Sequence, residues 1–193
     1  NHWNANEKVS GYSLSKYSAE KEVWRGIEEG LPAAIVNPSI MLGPGNWDES
    51  SLKIMRTLQN GLSYYTAGGN AFVDVRDVTL IIRKLAETNA SGERYLVTGT
   101  NLSFKALFDK ICAQLGVKAP SKLAGKFLIG LAWRLAGLVA RFTGKRPTIT
   151  KESADSSQRT TIYSTEKVRA AFPDFEFTPL QETIAITIKG RMD

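Results

Sequence analysis

Apolar residues recur at helical spacing over 12–29. Leu14, Tyr17, Val23, Trp24 and Ile27 supply one side of an amphipathic helix, and Gly30 is placed to end it. The pattern then changes. After Pro32 the run AAIV, 33–36, is short and continuously apolar, as in a strand buried within a parallel sheet. NPSIMLGPGNW follows with Pro38, Gly43, Pro44 and Gly45 and reads as a loop. Residues 49–60 read as helical, SYYT as a brief strand and GGN as a turn. AFVDV predicts a further strand, with Asp77 placed to cap the helix VTLIIRKLAETN. RYLVTG predicts another buried strand. SFKALFDKICAQLG is a helix pattern with Ser103 near its start, and a long helix is expected over about 121–143. Near the end of the sequence, Ser164 to Glu166 read as one helix start. Thr178 reads as a cap, with Pro179 as the first residue of the last helix.

Strands alternate with helices through the first half, which favours an α/β fold with parallel pairing. The second half is mostly helical and reads as a separate lobe. The expected division is 1–98 and 99–193, with 38–76 partly serving the lobe.

Composition narrows the class. The chain has 193 residues, 42% hydrophobic and 23% charged, enough for a real core. A single cysteine, Cys112, excludes an intramolecular disulfide. Its setting, LFDKICAQL, reads as a buried helix face, so a reduced, cytoplasmic setting is expected and a catalytic thiol is not. His2 is the only histidine and lacks cysteine or histidine companions, so no metal site is expected. The net charge of +6 is localised. Lys122, Lys126, Arg134, Arg141, Lys145 and Arg146 lie between Ser121 and Thr150 with no acid among them, and the other 19 basic residues (25 − 6) balance the 19 acids. Nucleic-acid binding calls for a broad basic face or a known module. The sequence displays neither, and no nucleic-acid partner is expected.

The candidate chemistry sits at the start of the first helix, where Tyr12 precedes Lys16 by four residues. Positions i and i+4 share a helix face. A free phenol is a poor base at neutral pH, but a neighbouring ammonium favours the phenolate. A tyrosine so placed can pass a proton to or from a carbonyl or alcohol oxygen, and the ammonium can also hydrogen-bond a ribose. A Tyr-x-x-x-Lys spacing alone also describes many solvated helix faces.

The surrounding residues sharpen this. YSLSKYSAE resembles the Y-x-x-S-K-x-x-A-E active-site helix of extended short-chain dehydrogenases/reductases, the group that includes NAD(P)-dependent epimerases and dehydratases. VNPSIMLGPG resembles the strand and loop that receive the nicotinamide, and FVDVRDV the segment leading back toward the sheet. YSTEKVRAAFPDFEFTPLQETI is similar to the family's C-terminal end. HWN and EVWRG, flanking the motif, resemble the dihydroflavonol-reductase-like and 3β-hydroxysteroid-dehydrogenase-like branch. The resemblance covers essentially the whole chain.

It implies the C-terminal part of a Rossmann-type doubly wound parallel sheet plus a mostly helical substrate-binding lobe. It implies NADP or NAD as cofactor and a small carbonyl or hydroxyl compound as substrate. By resemblance, Tyr12 is the general acid/base and Lys16 holds the nicotinamide ribose. Asn37 and Pro38 end the strand beside the nicotinamide, and Ser39 and Ile40 contact its carboxamide. Arg76 and Asp77 match a recurring Arg-Asp pair, though Asp77 reads more readily as a helix N-cap. Reduction of a carbonyl is the leading expectation. Nucleotide-sugar epimerisation or dehydration, and a non-catalytic NAD(P)-binding role, are the alternatives.

Two parts of the family pattern do not occur. No G-x-x-G-x-x-G turn is found to cradle a pyrophosphate. The family's upstream Ser or Thr has no counterpart, since Ser10 is too close to Tyr12. The sequence therefore reads as the C-terminal part of a larger enzyme. The chain alone is expected to be neither active nor independently stable, with AAIV and RYLV left along an unprotected edge.

The basic helix has a wide apolar band of Leu123, Phe127, Leu128, Leu131, Leu135, Leu138, Val139 and Phe142. Lys126, Gly130, Arg134, Gly137 and Arg141 form the opposite stripe. Arg134 at its middle argues against a transmembrane span. Three readings stay open for 121–143: a lobe helix packed over the substrate cleft, an interfacial helix in peripheral contact with a membrane, or a subunit contact, as in a homodimer.

Overall fold

The computed structural model describes residues 11–88, 90–144 and 150–192. His2, Ser10, Lys145 and Arg146 lie outside the described residues. The first helix, α1 (Gly11–Glu28), forms as its spacing predicts. Gly30, at φ +100°, ends it in a left-handed turn that only glycine adopts freely, with Leu31 N donating to the Gly26 carbonyl at 2.8 Å. No residue of α1 is fully buried.

The strands that follow are short: β1 (Ala34–Pro38), β2 (Ile40–Leu42) and β3 (Gly45–Asn46). A 3-10 turn (Ser50–Leu52) leads into α2 (Lys53–Gln59). Next come β4 (Tyr64–Tyr65), β5 (Gly69–Asp74) and α3 (Val75–Glu87). Then β6 (Glu93–Val97) and β7 (Thr100–Ser103) precede α4 (Phe104–Leu115). The rest is β8 (Lys122–Leu123), α5 (Lys126–Thr143), α6 (Lys151–Ser156), α7 (Glu166–Ala171), α8 (Leu180–Lys189) and β9 (Arg191–Met192).

The fold is α/β with parallel pairing, as the alternation predicts. β1 pairs with β6 in parallel, from Ala34 opposite Glu93 to Pro38 opposite Val97. β5 is the centre of a second sheet, parallel to β2 and antiparallel to β7. Two-residue parallel pairs join β3 to β9 and β4 to β8.

Two apolar clusters share β5. Phe72 enters the first cluster, with Leu42, Trp47, Met55, Leu107, Ile111 and Ile184. Its neighbour Val73 enters the second, with Val78, Ile81, Tyr95, Val97 and Val168. Successive strand residues point to opposite faces, so one strand seals both cores.

Four local expectations are corrected. β1 is half-buried and β6 alternates, with Tyr95 and Val97 buried but Arg94 and Leu96 exposed; neither is a fully buried strand. They pair only with each other among the described strands, and Arg94 on the exposed side meets Glu20 of α1. The segment read as a loop after Pro38 contains β2 and β3. Asp74, not Asp77, caps α3, accepting from Arg76 N at 2.8 Å. Thr178 does not cap α8. Its hydroxyl donates to Asp77 Oδ1 at 2.7 Å and its N–H to Oδ2 at 2.8 Å, so Pro179 precedes the helix without a side-chain cap.

Candidate functional site

Ligands of open α/β sheets bind outside the carboxyl ends of the parallel strands. At that end of β1 and β6 lies a cavity of about 180 Å³, lined by Asn37, Pro38, Ser39, Leu96, Thr98 and Tyr163. The pairing continues one step past β1, with Ser39 N donating to the Val97 carbonyl at 3.0 Å. This brings the Ser39 and Thr98 side chains to the same crevice. Both hydroxyls are buried and neither has a hydrogen-bond partner. An unpaired buried hydroxyl is costly, and an amide-bearing ring in the cavity would satisfy both. The volume suits one such ring rather than a drug-sized ligand, which takes roughly 300–1,000 Å³.

A larger cavity, about 420 Å³, lies between α5 and α6, lined by residues including Trp133, Asp155 and Arg159. None of its lining residues carries an unpartnered buried polar atom. The smaller cavity has the chemistry, and the site is placed there.

Tyr163 reaches the cavity from far along the chain. Its backbone is clamped by one side chain: Tyr163 N donates to Asn101 Oδ1 at 3.0 Å, and Asn101 Nδ2 donates to the Tyr163 carbonyl at 2.9 Å. No local signal marked Tyr163 or Thr98.

Glu20 links α1 to this strand end. Its carboxylate accepts from Asn37 Nδ2 at 3.1 Å, Arg94 Nη1 at 3.0 Å and Trp24 Nε1 at 3.3 Å. Burial pushes its carboxyl up, but these hydrogen bonds outweigh burial and leave it below the usual carboxylate value. Glu20 is the last residue of the motif that singled out Tyr12 and Lys16, yet the sequence reading gave it no role.

Tyr12, Lys16 and Glu20 fall at i, i+4 and i+8 on one stripe of α1. Glu20 meets Asn37 at the end of β1 while Ile27 lies near Gly92 ahead of β6, so α1 runs antiparallel to these strands, and Lys16 and Tyr12 precede the Glu20 contact by one and two turns. One turn is about 5.4 Å, close to the length of two strand residues. The Lys16 ammonium sits 5.8 Å from the centre of the Tyr12 ring. Tyr12 is exposed, and neither it nor Lys16 lines the cavity. Ile40 opens β2 opposite Phe72 and packs against the first core cluster. Of the residues expected around the nicotinamide, Asn37, Pro38 and Ser39 share the cavity.

Arg76 and Asp77 do not pair with each other. Arg76 makes a bidentate pair with Asp74 at 3.0 and 2.8 Å and reaches Glu182 at 3.2 Å. Cys112 is buried in the first cluster, where burial pushes its thiol up, away from the reactive thiolate. No group of three or more potential metal ligands occurs among the described residues.

No family profile matches the chain. A candidate dihydroflavonol 4-reductase of Synechocystis sp. is 29% identical over 171 residues, covering 83% of this chain and 49% of that protein. The solved structure of gox2253 superposes with a TM-score of 0.77 at 28% identity, over 98% of this chain and 58% of that one. These likenesses agree with the resemblance to extended short-chain dehydrogenases/reductases read from the sequence. A nucleoside-diphosphate-sugar epimerase from Pseudomonas aeruginosa, PA4631, shares this family fold with a TM-score of 0.75 at 23% identity, over 98% of this chain and 57% of its own. Structures solved with NADPH or with NAD share it too, at 16% and 15% identity. The chain spans about half the length of the curated relatives it matches. Reductases, epimerases and dehydratases all occur among the family members it resembles.

Proposed function

We propose that the protein carrying this chain is a nicotinamide-dependent oxidoreductase acting on a carbonyl or hydroxyl carbon of a small molecule, with NADP or NAD as cofactor. The observation that supports this most is the pair of buried, unpartnered hydroxyls, Ser39 and Thr98, at the strand end to which Glu20 ties the Tyr12–Lys16 helix. When bound, the nicotinamide supplies or accepts the hydride. The Ser39 and Thr98 hydroxyls bind the carboxamide, with Asn37 and Pro38 shaping the cavity and the Ile40 backbone beside it. Tyr163 closes the cavity wall against water. Lys16 donates to the ribose hydroxyls. In reduction, Tyr12 gives its proton to the carbonyl oxygen as carbon gains the hydride, yielding the alcohol; in oxidation it takes the proton back. Residues 1–98 serve the cofactor, with 38–76 partly reaching the substrate lobe of 99–193.

The test is Tyr12→Phe, assayed by nicotinamide absorbance against a panel of aldehydes, ketones and nucleotide sugars. Turnover is expected to fall roughly 10²–10⁴-fold while cofactor binding, followed by fluorescence, is retained. Unchanged turnover would sink the proposal.

A further inference from the structure

The apolar band of α5 is not covered by any of the described residues. Phe127 and Phe142, at its two ends, are 88% and 82% exposed, and Leu131, Leu135, Leu138 and Val139 between them are also exposed. At about 100° per residue these side chains occupy one sector roughly 120° wide, running about 22 Å along the helix. The opposite side, with half-buried Ile129 and Trp133, faces α6. The helix thus packs by one face, beside the cavity it shares with α6, and presents a second apolar face outward. A continuous exposed apolar strip of this kind marks an interaction surface.

We propose that this strip docks on an anionic lipid surface. Charge selects that occupant. Arg134 and Arg141, read from the sequence as an opposite stripe, fall at the same 100° per residue along one edge of the strip, and the segment from Ser121 to Thr150 has no acid. The Arg134 guanidinium lies over the Trp133 ring, 4.7 Å from its centre, and donates to the Gly130 carbonyl at 2.7 Å. Arg141 makes no ion pair among the described residues. Lys122, just before the helix, stands over the exposed Tyr64 ring at 5.8 Å. Apolar side chains in the acyl boundary and cations at the phosphates are the layout of a helix lying in the membrane plane. A second copy stacking α5 on α5 would set these arginines against their own kind with no acid to pair them. No helix among the described residues is long and apolar enough to cross a membrane, so the surface lies on the bilayer.

Co-sedimentation with phosphatidylcholine vesicles, with and without phosphatidylglycerol, tests this. Binding is expected only with phosphatidylglycerol and is expected to weaken with salt. Phe127→Ser with Phe142→Ser should abolish it without altering the circular dichroism or melting of the protein, because both rings are exposed. Arg134→Gln and Arg141→Gln should each weaken it about fivefold. The proposal is overturned by no sedimentation with either vesicle, by equal binding to both, or by binding that survives the phenylalanine substitutions. It is equally overturned if sedimentation equilibrium without lipid shows a dimer that those substitutions dissociate, since the strip would then serve a second copy.

Discussion

The Glu20 carboxylate accepts a hydrogen bond from the Asn37 side chain at 3.1 Å, joining the middle of α1 to the end of β1. That pair ties the helix carrying Tyr12 and Lys16 to a residue that lines the cavity. α1 buries none of its residues fully, and this carboxylate ties it to β1 through Asn37 and to β6 through Arg94, while Trp24 of the same helix holds the carboxylate in place. Glu20→Ala leaves three donors without their acceptor. It should cost about 1–3 kcal/mol in equilibrium unfolding, and amide exchange in α1 should rise before that of β5. Uniform exchange across both elements would show that α1 is held by something else.

The cavity hydroxyls give a prediction in which stability and binding move in opposite directions. Ser39 and Thr98 bury hydroxyls that find no protein partner. Ser39→Ala and Thr98→Val should therefore leave stability unchanged or raise it by about 1 kcal/mol. If these groups hold a carboxamide, the same substitutions should weaken NAD(P)H binding about fivefold each. Isothermal titration alongside thermal melts separates the two effects. A loss of stability with unaltered binding would make the hydroxyls structural.

Gly99 follows Thr98 where the chain turns from β6 into β7. A Cβ there would meet the Phe72 carbonyl oxygen at 2.8 Å, a backbone atom of the shared strand β5. Neither partner can swing aside, so Gly99→Ala should cost about 1–3 kcal/mol by overpacking. It should also disturb Thr98. A denaturant midpoint equal to that of the parent would mean that β6 and β5 can separate without cost.

What was legible in the sequence was local. Apolar spacing found α1, α3 and α4, and Ser103, read only as near the start of α4, is its N-cap, accepting from Ala106 N at 3.2 Å. Asn37, Pro38 and Ser39, adjacent in the VNPSIMLGPG segment, line one cavity. What escaped depends on partners far along the chain. FVDVRDV offers two aspartates near the helix start. Which one caps follows from Asp77 being drawn to Thr178, 101 positions away. β2 has three residues and exists only because β5 lies beside it. Tyr163 enters the site through Asn101, 62 positions earlier. The missed α6 was different: its Thr150–Ser153 capping box is local, but Ser153 stands where the usual signature has Glu or Gln.

Two carboxylates should drive stability in opposite directions with pH. Glu20 sits below its ordinary 4.5 because its hydrogen bonds outweigh burial. Its contribution is present above that value and is lost as pH falls through the depressed folded value. Asp77 sits above its ordinary 3.8: burial raises it, more than the Thr178 hydrogen bonds lower it. Its contribution is therefore full below 3.8 and is lost as pH rises through the raised folded value. Asp77→Asn keeps the shape, and the amide can still accept from Thr178 N and donate to Thr178 Oγ. This substitution should gain stability relative to the parent as pH rises from below 3.8 toward neutral. Glu20→Gln should lose stability relative to the parent over the same rise. Urea midpoints at a series of pH values measure both slopes. If Asp77→Asn instead loses ground toward neutral pH, the Thr178 hydrogen bonds to the charged carboxylate outweigh its burial. The link between α3 and the residues preceding α8 would then be an ionic clasp rather than a buried acid held at a cost.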